Sequence, residues 1–407
     1  MLSDPVSDHS KITNMDIFRQ PSYGEDYHKL IRGLRVKAPV LEVNYDNQRI
    51  NLVIGYEALR EAFLDSDRFP PHAMYRFNTE PYVGKTVMSS PEPDHAILRK
   101  LSMPAFKLNS VANYGEHLVE DLCIELIESF PENPDLVKDF AQRLPTLVIT
   151  RMLGLPRQVE VLFEEWSLNI LYRTSLENSK RWGAKLGDYL RPIVEQRRRE
   201  PQNDIITQLT QANIDGRQLS DEEIISHIRL LMPVGADPVH QALSNTLYAL
   251  LSHDGLWTEL QENPDLISNA MEESFRWEAP IAILPRLSGP SAFNFHGCDI
   301  KPFQPVFFCI GGAHRDPTIF EKPDAYDVSR IMPVPLLTFG PGHKHCPGIH
   351  LAKIEIRTAL KVLLKHIHKP ERISYKPSAA FLFRSAQELK LSYASNRTNP
   401  NQSARPI

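Results

Sequence analysis

The sequence predicts a mainly α-helical protein with a minor β portion, folded as a single domain. Three observations carry this. Apolar residues recur at helical spacing through most of the chain, while residues of β character come in short, confined runs. No Gly/Ser linker, internal repeat or break in composition divides the 407 residues. Length alone would suggest about two or three domains, a soft prior that the missing linker overrides. The expected layout is a flexible N-terminus over residues 1–14, one domain over 15–394 and a flexible tail over 395–407, where the chain turns polar and Pro-containing.

Taken in order, the elements begin with VLEVNYDNQRINLVIG (40–55), which alternates like a hairpin and turns at Asp46-Asn47-Gln48. Residues 113–130 place Leu118, Leu122, Leu126 and Ile127 on one helical face. Similar patterns cover 135–153, 158–175, 181–200, 221–252 and 349–367. Further β pieces are expected near 281–309 and 379–393, and many of the 33 prolines fall between residues 280 and 347. Within 221–252 lies LLMPVGADPVHQALSN (230–245), which puts Pro233 and Pro238 inside a helix. Such a proline removes a backbone donor and clashes with the preceding turn, costing about 3 kcal/mol. The helix is expected to bend there.

Bulk composition excludes several classes. A formal net charge of −4 gives no electrostatic footprint for nucleic acid. The four cysteines, Cys123, Cys298, Cys309 and Cys346, lack the spacing of a disulfide framework or a zinc site. The N-terminus shows no secretory pattern, and no run approaches the ~20 apolar residues that cross a bilayer. The expectation is a cytoplasmic protein without membrane contact.

The most informative segment is TFGPGHKHCPGIHLAKIEIRTAL (338–360). Glycines bracket one cysteine, and a helical pattern follows at once. A cysteine just before a helix N-terminus has its thiolate stabilised by the helix dipole and free N–H groups. Glycines on both sides allow tight turns and let a flat ligand approach the backbone. Such a loop suits a thiolate that binds a metal from one side.

This F-x-x-G-x-x-x-C-x-G segment resembles the heme-binding loop of the bacterial-type soluble cytochrome P450 family. The resemblance implies the P450 fold, with heme b (iron protoporphyrin IX) held between a long central helix and the cysteine-loop helix. It makes Cys346 the iron ligand, sets Phe339 beside the sulfur and matches Gly342 and Gly348 to the loop glycines. Lys344 stands where the family has Arg or His facing a propionate. EESFRW (272–277) supplies an E-x-x-R pair, Glu273 and Arg276, and Arg330 in YDVSR would complete a structural Glu-Arg-Arg network. DHAILRKLSMPAF (94–106) resembles the helix crossing one heme edge, with His95 and Arg99 toward a propionate, and Arg286 matches another propionate-binding arginine. Two propionates carry about −2 charge and need such cations in a low-dielectric site.

By the same resemblance, residues 230–245 lie over the distal heme face. The pattern there is a small residue, Gly, any residue, an acid, then Thr; this chain reads Val234, Gly235, Ala236, Asp237, Pro238. The acid remains and the alcohol is gone, so proton delivery is expected to be atypical, with Gly235, Asp237 and Pro238 as the catalytic positions. His240 is expected to face away from the heme. The substrate pocket is expected from Tyr75, Arg76, Phe77 and Tyr82 in an aromatic segment (69–88), with Val234, Ile283, Leu284 and Phe381. Their character suits a small hydrophobic, aromatic or terpenoid-like metabolite of secondary metabolism. Electrons would come from a ferredoxin and its reductase, docking on the Cys346 side where Lys344, His345 and Lys353 add positive charge to a monomer. The alternatives are radical coupling of phenol-like substrates without oxygen insertion, a peroxide-driven oxygenase, or a heme protein that only binds ligands.

Overall fold

The computed structural model describes residues 13–14 and 25–395, apart from 46, 107, 172–174 and 379. Two strands, β2 (Val40–Tyr45) and β3 (Gln48–Val53), pair antiparallel with Tyr45 opposite Gln48. Only two residues are left for the turn. Asn47 takes φ of 58°, a left-handed conformation that Asn tolerates; Asp46 lies outside the described residues. The N-terminal segment expected to be flexible contributes a short strand, β1 (Thr13–Asn14), parallel to β2. Most of that segment, and residues 396–407 of the expected tail, lie outside the described residues.

The expected β pieces near 281–309 supply β4 (Leu284–Leu287) and β5 (Pro305–Phe308), and the five-stranded sheet runs β1-β2-β3-β5-β4. A separate ribbon pairs β6 (Ile367–Lys376) with β7 (Glu388–Ser395). Its first strand begins where the sequence pattern still reads as the end of a helix.

Helices build the rest. Those that matter for the site are α1 (Asp94–Ser102), α2 (Leu176–Arg199), α3 (Asp221–Ser252), α4 (Ile267–Trp277) and α5 (Ile349–His366). The largest apolar core draws buried residues from α2 to α5 and from the helices Leu108–Glu128, Arg143–Met152 and Glu160–Leu171. α3 starts at a capping box: Ser220 Oγ accepts from the Glu223 N–H at 3.2 Å, and the Glu223 carboxylate accepts from the Ser220 N–H at 2.8 Å. Asp221, Glu222 and Glu223 in its first turn complement the helix dipole.

Despite Pro233 and Pro238, α3 is helical without interruption over 32 residues. Met232, Pro233, Ala236 and Val239 are buried, so packing holds the helix where propensity would stop it. The segment 73–83, two short helices, is seated against α2 and α3 by glycines. A Cβ at Gly183 would stand 2.4 Å from the Tyr82 carbonyl oxygen, and one at Gly84, where φ is +98°, 2.1 Å from Ser226 Oγ. Among the described residues, no helix is long and apolar enough to cross a membrane.

Candidate functional site

The cysteine loop folds back on itself before α5. Gly340 and Gly342 take φ of 65° and 89°, conformations open to glycine without strain. The Cys346 N–H donates to the Phe339 carbonyl at 2.9 Å, and the His345 N–H to that of Gly342 at 3.1 Å. Cys346 is thereby fixed just ahead of Ile349, the first residue of α5. Burial pushes its thiol above the ordinary range, while the Gly348 N–H, the Arg99 charge and the Ile349 N–H pull the other way. A metal cation in front of the sulfur would replace the proton and satisfy the desolvated thiolate. Phe339 packs edge-on against Phe275 of α4 at 5.7 Å.

Three cationic side chains and a histidine gather beside this loop. Arg99 Nη2 donates to the His345 carbonyl at 2.8 Å, tying α1 to the cysteine loop. Arg286 on β4 is buried and lies over the rings of Tyr75 and Phe308 at 5.6 and 5.7 Å. Lys344, expected to meet a propionate, has a different employment. Its ammonium donates to the carbonyls of Val87, Met88 and Ser90 at 3.0, 2.7 and 3.0 Å, pinning the loop before α1. Burial first, then Arg286, pushes Lys344 down to about 8, with Glu92 opposing and Arg99 adding to the shift.

His95, also buried, has Nδ1 2.8 Å from Glu92 Oε1. The same carboxylate oxygen pairs with Nε2 of His343, whose ring lies 4.6 Å from that of His95. Burial lowers the His95 pKa, the Glu92 hydrogen bond opposes this, and Lys344 and His343 add to the lowering. Sequence reasoning missed Glu92 and His343, because nothing local marks a glutamate in a Pro-Glu-Pro turn as the partner of a histidine about 250 residues away. Lys353 was also expected to offer free charge on this side, but it pairs with Glu272.

The Glu-Arg-Arg residues do come together. Arg276 holds both carboxylate oxygens of Glu273 at 2.7 Å, a two-pronged pair with both side chains buried. Arg330 Nε lies 3.1 Å from each of the same oxygens. The remaining guanidinium protons of Arg276 go to the carbonyls of His314, Pro323 and Ala325. One ion-pair cluster thus fastens α4 to the coil that leads to the cysteine loop.

On α3, Val234 is 41% exposed in an otherwise buried stretch, and Gly235, Asp237 and Pro238 are half-buried. Asp237 Oδ2 accepts from Gln241 at 2.7 Å, and His240, expected to turn away, stands 3.8 Å from the other Asp237 oxygen. Among the expected pocket residues, Tyr75 lies under Arg286, Tyr82 packs on the main core, Leu284 is half-buried, and Arg76 and Phe77 are exposed. Two expectations need correcting. Ile283 is 0% exposed and Phe381 6% exposed, both inside the sheet-side core, where Phe381 stacks on Tyr45. An apolar residue facing a pocket and one packed behind its wall look alike in sequence.

Residues 148–369 match the family model described as Cytochrome P450. A Bacillus subtilis protein named Cytochrome P450 is 32% identical over 76% of this chain and 77% of its own. From the same organism, Polyketide biosynthesis cytochrome P450 PksS is 31% identical over 70% of this chain and 71% of its own. Among solved structures, P450BioI in complex with a hexadec-9Z-enoic acid ligated acyl carrier protein superposes with a TM-score of 0.82 at 26% identity, covering 93% of this chain and 99% of that one. These likenesses imply a heme-iron group. The donor set suits it: one thiol at a helix N-terminus, and two guanidinium groups, Arg99 and Arg286, within electrostatic reach of Lys344 with one carboxylate, Glu92, among them, an excess of positive charge fitted to a ligand with two acid side chains.

Proposed function

The chain belongs to the cytochrome P450 family and is an oxidoreductase of the monooxygenase type, and we propose that it uses heme b to oxidise a small hydrophobic metabolite in secondary metabolism. The observation that carries this reading is the thiol of Cys346, seated on the first N–H groups of α5 within electrostatic reach of Arg99. When bound, the heme iron supplies the activation of oxygen needed to attack unreactive bonds.

Cys346 ligates that iron, and the N–H groups of Gly348 and Ile349 moderate the charge on its sulfur. His95, Arg99 and Arg286 hold the propionates. Lys344 acts one step removed, anchoring the 87–90 loop, since its protons are committed to backbone carbonyls. Val234 and Tyr75 face the substrate. Pro238 supplies no hydroxyl to the distal face, so proton delivery there is atypical. Electrons come from a ferredoxin and its reductase, which dock on the Cys346 side of the monomer.

A second reading concerns the substrate's form. One relative is named for polyketide biosynthesis and one similar structure holds an acyl carrier protein, which favours an acyl chain presented on a carrier over a free small molecule. The test compares turnover of free and carrier-bound acyl substrates, driven either by ferredoxin, reductase and NADPH or by peroxide alone. Turnover with the electron-transfer proteins supports the proposal. Turnover with peroxide alone would replace it with a peroxide-driven oxygenase.

A further inference from the structure

Beside Pro238, α3 carries a line of polar side chains. Asp237, His240, Gln241 and Ser244 stand at i, i+3, i+4 and i+7, neighbours along one helix face. Gln241 is 2% exposed and Ser244 0%. Gln241 Nε2 is locked on Asp237 at 2.7 Å, and His240 Nδ1 stands 3.8 Å from the same carboxyl group. Yet Gln241 Oε1, His240 Nε2 and Ser244 Oγ are buried without a protein partner.

Ser244 differs from several other buried helical hydroxyls. Ser102, Thr150, Thr246 and Ser274, also buried in helices, each donate to the carbonyl four residues back, at 2.7, 2.7, 2.8 and 2.8 Å. The Ser244 hydroxyl makes no such bond. Buried polar atoms without protein partners are rare, and grouped ones are characteristically bridged by ordered water that makes about three hydrogen bonds. Gln241 lies one turn beyond Pro238, so the line runs alongside the position where a hydroxyl is missing.

We propose that Asp237, His240, Gln241 and Ser244 hold a chain of ordered water that conducts protons along α3 to the distal face beside Pro238. The inference rests on the heme-thiolate reading above. Ser244 both accepts and gives a proton, and His240 does so at its free ring nitrogen. Gln241 is a positioning residue: its amide transfers no proton, but its free carbonyl orients a water while its nitrogen is held by Asp237. Ferredoxin supplies the electrons. Two electrons and two protons convert dioxygen to peroxide, and four of each convert it to two waters; in substrate oxidation, two of each leave one water and one inserted oxygen.

The test needs no organic substrate. Heme-loaded wild type, Ser244→Ala and Gln241→Leu are given ferredoxin, reductase, NADPH and dioxygen, and peroxide formed is measured against NADPH consumed. The water-forming branch is expected to slow about 100-fold in Ser244→Ala, the lower end for a lost proton-transfer group, and by less in Gln241→Leu. An unchanged partition would overturn the proposal. A wild type that takes up no dioxygen would defeat the ferredoxin-driven reading instead, and the water chain is then judged by stability. If water satisfies the Ser244 hydroxyl, the holoprotein with Ser244→Ala melts at the same or a lower temperature. A higher melting temperature would mean a truly unsatisfied hydroxyl and no water chain.

Discussion

Glu92 holds two imidazoles with one carboxylate, and its effect on the site is exerted through His95. With Nδ1 turned to Glu92 at 2.8 Å, the His95 ring presents Nε2 on its other side. Outer partners of this kind commonly change the affinity of a bound group by about 10–100-fold. Glu92→Gln is therefore expected to speed transfer of heme to apomyoglobin by about tenfold; an unchanged rate would show that Glu92 does not position His95. His314 gives a second prediction, in pH. Its Nδ1 donates to the Phe275 carbonyl at 3.2 Å and its Nε2 accepts from the Leu337 N–H at 2.8 Å, so both nitrogens are used in the neutral form. Burial pushes it down to about 3, from an ordinary 6.5. Between these values the unfolded chain binds a proton that the folded protein does not, so this site's stabilisation is full above pH 6.5 and is lost as pH falls toward 3. Urea titrations across that window should show a shallower pH slope in His314→Gln than in wild type.

At the scale of elements, α3 is the clearest case of tertiary structure overriding local preference. Interior prolines disfavour a helix by about 3 kcal/mol each, yet the helix continues through both because its faces are packed into the core. Replacing Pro238 with Ala restores a donor to the carbonyl of Val234 and is expected to stabilise the protein by about 1–3 kcal/mol in urea unfolding. Destabilisation would show that the surrounding helices are shaped to the proline ring. The bounds of this helix were legible because its apolar periodicity runs over 221–252. β6 was not, because HKPERISYK carries charges and a proline inside the strand. The ladder accommodates Pro370 at a register shift between His368 and Glu371, an irregularity that alternation cannot reveal.

Across the whole molecule, the cysteine loop is held from two sides. Glu273, Arg276 and Arg330 bind α4 to the approaching coil, and Lys344 and Arg99 bind the loop to α1 and the segment before it. Removing one partner of a buried ion pair leaves an uncompensated charge, so Glu273→Gln should cost about 3–5 kcal/mol and shed heme on gel filtration. The residues of this framework were legible in sequence because each sits in a short local motif. What escaped notice depends on distant segments meeting: Glu92 with His343, and Ile283 and Phe381 in the sheet-side core, where Phe381 stacks on Tyr45.

The central claim is that Cys346 is the thiolate bound to heme iron, and the absorption spectrum of the reduced, CO-bound protein tests it most directly. Wild type is expected to show the red-shifted band of a thiolate-ligated heme, and a folded Cys346→Ala protein to lack it. Persistence of that band in the variant would contradict the assignment.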